Sequence, residues 1–241
     1  MSQQMQMQPP GARLGAPRKS LTWMLIALAL LTAGALAFAA GVIRWWDPCF
    51  TDGFDSDGCI TRQDHSSDLT GLTALPSDQR QAAIMLAAST LLIGLLWFSL
   101  VVVGRRSVLV RVVACLGGAF TIAGVLPDLL WHTQGWLPFG GDEILPMLQL
   151  PGLIIVPCLI AALLIGGLGD TGRLGLLIIG LLAGSVFSVL FEYFFWQMIY
   201  ASHDTPPGSG WLQSVLYTLC GVGILYVTLR RHGRAMPVSQ V

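Results

Sequence analysis

Residues 174–200 read LGLLIIGLLAGSVFSVLFEYFFWQMIY. The stretch is almost wholly apolar, yet it carries Glu192 in its second half. Gly180, Gly184 and Ser188 precede the acid at intervals of four. A spacing of four drifts by only about 40° around a helix. The three small residues and Glu192 therefore share one broad face. Small residues at that spacing let another helix approach closely inside a membrane, and an acid pointing at lipid is costly. The stretch predicts a membrane helix whose small-residue face turns inward, with Glu192 on that face.

The rest of the chain agrees with this class. Of 241 residues, 54% are hydrophobic and 11% are charged, and the mean hydropathy is +0.69. A soluble domain carries about twice that share of charge. The net charge is zero, so nothing global points to nucleic acid as a partner. Arg outnumbers Lys twelve to one and Asn is absent, a bias that suits a GC-rich bacterial genome.

Long apolar runs divide the sequence. Residues 1–20 are rich in Gln, Met and Pro without periodicity, and they predict a disordered tail. Residues 21–43 give about 23 apolar positions, enough to cross about 30 Å of hydrocarbon. The rival reading is a signal peptide cleaved near Ala37 or Ala39. The run exceeds the usual apolar core of about 7–15 residues, which favours an uncleaved helix. Further spans are expected at about 81–103, 108–130, 151–168, 174–200 and 211–229, followed by a tail at 230–241. The polar stretch 44–80 opens with Trp45 and Trp46, which suit a membrane–water interface. The expected fold is an all-α bundle of six transmembrane helices within residues 21–229.

Sidedness follows from the basic residues. With the N-terminus inside, ten of them fall on that side: Arg13, Arg18, Lys19, Arg105, Arg106, Arg111, Arg173, Arg230, Arg231 and Arg234. Only Arg44, Arg62 and Arg80 fall outside. This positive-inside bias predicts cytoplasmic termini, an external loop at 44–80 and residence in the cell membrane. Spans two and three form a hairpin, as do four and five. That architecture permits an inverted repeat without residue identity to support one.

The candidate chemistry lies at the outer ends of spans three and five. Gly117, Thr121, Gly124 and Asp128 form a tight helical stripe, and His132 follows one turn later. Both spans run outward, so Asp128 and Glu192 reach a similar depth. Asp128, His132 and Glu192, with His203 and Asp204 above them, compose a possible ion or proton site. The competing account is a packing contact in which each acid snorkels to the surface or bonds a neighbouring side chain. Cys49 and Cys59 lie in the external loop, where a disulfide persists, and nine intervening residues close easily. Cys115, Cys158 and Cys220 fall inside spans and read as small apolar fillers.

Other motifs are accidental on inspection. Asp55, Asp57, Gly58 and Asp64 match parts of a calcium loop that starts at Gly53, but its first position lacks the carboxylate. A solvated Asp-Gly turn is the simpler account. Gly167, Gly169 and Gly172 spell G-x-G-x-x-G in a turn between membrane spans, without the soluble strand and helix that the fingerprint needs. Neither H-E-x-x-H nor G-x-S-x-G occurs. No cofactor, metal or catalytic set is expected. Two functions remain. One is an accessory, sensing or assembly protein that meets a membrane or extracytoplasmic partner through loop 44–80. The other is a small-solute or ion transporter or channel using the outer acidic site.

Overall fold

The computed structural model describes residues 16–64, 77–103, 108–135, 171–184, 198, 207–208 and 210–234. All regular structure among them is helical. Helix α1 is Ala16–Trp45, α2 is Asp57–Asp64, α3 is Ser77–Val103, α4 is Val108–Gln134, α5 is Thr171–Ala183 and α6 is Trp211–Arg234. Four stretches, Ser20–Thr51, Gln79–Val103, Val108–Gln134 and Trp211–Arg231, are long and apolar enough to cross a membrane. Their outward faces are apolar too: Leu28, Leu95, Val102, Leu116 and Leu219 are exposed. A helix apolar on both faces belongs in lipid. The chain is a helical membrane protein.

The helices pack in the order α4, α3, α1, α6, α5, with α1 between α3 and α6. Serine hydroxyls fasten α1 on both sides. Ser89 on α3 donates to the Ala33 carbonyl at 2.8 Å, and Ser214 on α6 donates to the Gly34 carbonyl at 3.0 Å. Such interhelical bonds contribute about 0.6 kcal/mol each. Between α3 and α4, Trp97 lies over Gly117, and Gly118 abuts Phe98 and the Gly94 carbonyl. Helix α5 docks through Gly180 against Leu30 and Cys220, while Gly223 on α6 receives Leu176. Trp23, Leu30, Ile93, Trp97, Leu177, Leu181, Tyr217 and Ile224 fill the common core.

These contacts also set direction. Ala40 near the end of α1 meets Ala82 and Ala83 near the start of α3. Gly41 lies under Trp211 at the start of α6. The C-terminal ends of α1 and α4 and the N-terminal ends of α3 and α6 therefore share one end of the bundle. The opposite end carries Arg111, Arg173, Arg230 and Arg231. There the Arg173 guanidinium lies 5.0 Å over the Trp23 ring.

The helix ends differ from the sequence-based expectation, most clearly in α1 and α5. Helix α1 begins at Ala16 and runs to Trp45, about 45 Å at 1.5 Å per residue. It then widens into a π-helical turn, Trp46–Thr51. Pro48 has no N–H, so the α-helical ladder cannot continue through it. Helix α5 stops at Ala183, after 13 residues. At Gly184 a turn closes through its N–H to the Leu181 carbonyl at 3.2 Å. Gly184 is a poor helix former. An added Cβ at Gly184 would meet Ile93 and the Tyr217 hydroxyl, so the backbone itself approaches α3 and α6 there. Residues 151–168, most of 185–200 and the tail at 1–15 lie outside the described residues.

Candidate functional site

A small cap covers the shared end of α1 and α6. Cys49 in the π turn and Cys59 in α2 form a disulfide. Both sulfurs are buried against Trp45, which is fully buried. The Arg44 guanidinium lies 4.2 Å over the Trp45 ring, a cation–π contact that keeps the charge beside an apolar wall. Ser56 organises the short segment between the cysteines. Its hydroxyl donates to the Pro48 carbonyl at 2.6 Å and accepts the Cys59 N–H at 3.2 Å. The second bond is an N-cap, and Asp57 in the first turn favours the same helix end. Asp57 and Gly58, read from sequence as part of a solvated turn, thus open helix α2. Ser56 followed by an acid was the available signal for it.

The cap has two faces. On one, aromatic rings run continuously from the membrane span to the cap. Phe38 on α1 meets Trp211 at 6.2 Å, and Trp211 stacks on Phe50 at 5.2 Å with planes 14° apart. Phe50 in turn meets Trp46 at 6.2 Å and Phe54 at 5.4 Å. Trp46, Phe50 and Phe54 are exposed. Exposed aromatic rings joined to a lipid-facing helix suit the headgroup layer. Trp45 and Trp46 therefore part company: only Trp46 is an interface residue, and Trp45 is core. On the polar side, Asp47, Asp52, Asp55 and Asp57 are all exposed.

At the same end of the bundle, α4 carries the second candidate. Six polar or charged side chains are buried among the described residues: Ser89, Asp128, His132, Gln213, Ser214 and Thr228. Ser89 and Ser214 bond α1. Gln213 donates to the Tyr217 hydroxyl at 2.7 Å, and Thr228 donates to the Ile224 carbonyl at 2.7 Å. Asp128 and His132 are the two that stand apart. They are 6% and 5% exposed, yet Asp128 Oδ1 and His132 Nε2 have no hydrogen-bond partner. Buried polar atoms are nearly always bonded, so each exception asks for a cause. Pro127 precedes Asp128 inside the helix. Its missing N–H removes the donor that the Ala123 carbonyl would otherwise have, adding an acceptor to the same turns.

The remaining candidates fall as follows. Thr121 donates to the Gly117 carbonyl at 2.8 Å, and Gly117 and Gly124 are buried on α4. Gly180 is buried and Gly184 half-buried at the contacts given above. Ser188, Glu192, His203 and Asp204 lie outside the described residues, and so does any meeting of Glu192 with Asp128. Among the described residues no three His, Cys, Asp or Glu side chains gather as a metal site. The cap's helix, its aromatic chain and the burial of Trp45 were not anticipated from sequence. No protein-family model, characterised protein or solved structure matches this chain.

Proposed function

We propose that this is a multi-pass accessory protein of a bacterial plasma membrane, of the sensing or assembly kind, whose disulfide-tied cap meets a partner outside the membrane. The cap carries this reading: it is covalently closed, anchored to the interface by its aromatic face, and acidic on its polar face. Four exposed carboxylates in one short segment favour a partner with a basic surface, since complementary charge guides encounter.

Six spans with both termini inside is the arrangement that goes with this reading. The charge bias supports it, because Arg111, Arg173, Arg230 and Arg231 gather at the end opposite the disulfide. The disulfide supports it too, because such bonds persist on the oxidising side of a bacterial membrane. Reporter fusions at Ser107 and Val241 are expected to be active in the cytoplasm, and one at Asp55 outside it. External activity at Val241 would remove the six-span arrangement.

The partner is tested by photo-crosslinking in intact cells. A photoreactive residue at Asp55 or Asp57 is expected to give one discrete protein adduct, while the same residue at Leu95, on the lipid face, gives none. The adduct should weaken with rising salt, because exposed charges are screened beyond about 10 Å at 0.1 M. Identical patterns from Asp55 and Leu95 would end this reading. A small-solute or ion transporter is the second reading, favoured by the two unpartnered side chains on α4. The apolar groove of about 320 Å³ between α1 and α6 contains neither of them.

A further inference from the structure

We propose that Asp128 and His132 form a proton-binding site, a pair that holds one exchangeable proton at the capped end of α4. The proposal stands apart from the cap and its partner. It begins with position. The two residues are one turn apart on one helix, so their Cβ atoms are about 5–6 Å apart. Both are more than nine-tenths buried within a stretch long and apolar enough to span the membrane. Both present a ring or carboxyl atom without a hydrogen-bond partner. The face they share is the one that packs on α3. Trp97 over Gly117 and Gly94 against Ile122 fix an antiparallel register that carries Asp128 and His132 toward the start of α3, at the level of Ala83 and Ala87. Alanine offers no side-chain hydrogen-bond partner at that level.

The chemistry of two such groups in hydrocarbon selects the ligand. A lone carboxylate or a lone imidazolium there is too costly to persist. One proton shared by the pair removes the net charge. It resides on the Asp128 carboxyl with a neutral imidazole one turn away, or on the His132 ring as an imidazolium with the carboxylate one turn away. Once side-chain rotation brings the two within hydrogen-bond reach, transfer moves only that proton: the O–H bond breaks as the N–H bond forms, and the pair stays neutral. A divalent metal asks for more. Structural zinc takes four ligands and calcium six or more, while no three His, Cys, Asp or Glu side chains gather among the described residues. A proton needs one donor and one acceptor, which is what the pair offers. Helix α3 is the described element packed on this face, and Asp78 and Arg80 are its charged residues. Exchange with solvent runs through His132, which lies one turn nearer the capped end than Asp128. In coupled sites the protons belong to the pair, so altering one member must change the titration of the other.

Infrared spectroscopy of the full-length protein in lipid nanodiscs tests this. The stretching band of a protonated carboxyl is followed against pH, and subtraction of the Asp128→Asn spectrum isolates the Asp128 contribution. The expected result is a band that Asp128→Asn removes, titrating with a midpoint that His132→Gln moves by about one pH unit or more, tenfold in proton affinity. If Asp128→Asn does not fold, Asp128→Glu assigns the band by shifting its frequency. The same midpoint in His132→Gln as in the wild type would overturn the pair. So would spectra in which neither Asp128→Asn nor Asp128→Glu alters the protonated-carboxyl region at any pH.

Discussion

Gly34→Leu is expected to lower the stability of the folded bundle by about 3 kcal/mol, the upper part of the usual range for overpacking. Gly34 lies where α1 and α6 are closest. A Cβ there would meet Thr218 Oγ1 at 2.5 Å, the Ser214 carbonyl oxygen at 3.1 Å and the Thr218 backbone nitrogen at 3.2 Å. The hydroxyl can rotate away, but the two backbone atoms cannot. The helices must therefore separate, and the Ser214 bond to the Gly34 carbonyl is lost with them. Because the cap continues from α1, the separation also disturbs the stacking of Trp211 on Phe50 that steadies it. Equilibrium unfolding in SDS should show the folded-to-unfolded ratio falling roughly a hundredfold relative to wild type. Gly172→Leu is the control, since no described atom lies within 4 Å of its added Cβ. Equal stability of the two variants would mean that α1 and α6 do not meet at Gly34.

Cys49→Ser combined with Cys59→Ser is expected to open the cap while leaving the spans in place. A loop of this length closed by a disulfide gains about 3 kcal/mol from the reduced entropy of its open state. The non-covalent contacts that remain are few. Ser56 still bonds Pro48, and Phe50 still stacks on Trp211, but Trp45 loses the sulfurs that cover it. Tryptic cleavage after Arg62, in α2, reads the opening directly. When reclosing is fast, cleavage follows the population of the open form. The double variant should be cut about a hundredfold faster than the oxidised protein, and reduced wild type should match it. A cleavage rate indifferent to the disulfide would show that the aromatic chain alone holds the cap.

Much of this protein is legible in its sequence because the bilayer imposes a one-dimensional rule. Every backbone polar group in hydrocarbon must be bonded within its own segment, so a long apolar run has to be a helix. The boundaries of α3 and α4 follow from that rule to within a few residues, and so does the start of α6. Cys49 and Cys59 were readable for a similar local reason: two cysteines a short loop apart can close without help from the rest of the fold. The stripe from Gly117 to Asp128 follows from helical periodicity alone.

Other features depend on what lies opposite, which spacing along the chain does not encode. Trp45 and Trp46 are adjacent and chemically identical, yet one is sealed beneath a disulfide and the other is 53% exposed. The helix end and the cap's folding back decide which. The spacing of Gly184 suits a helix face, but only the structure shows that α5 closes with a turn there and that an added Cβ would meet Ile93 and the Tyr217 hydroxyl. Asp128 and His132 could be placed on one face of α4 by counting, but whether they had partners could not. Composition and periodicity by themselves determined that this chain is a bundle of membrane helices with a disulfide-closed loop, because burial in lipid acts on each segment separately. Only the tertiary structure decided that α1 stands between α3 and α6, that Trp45 is core, and that the acid and imidazole of α4 are left unpartnered, because those outcomes depend on distances between segments.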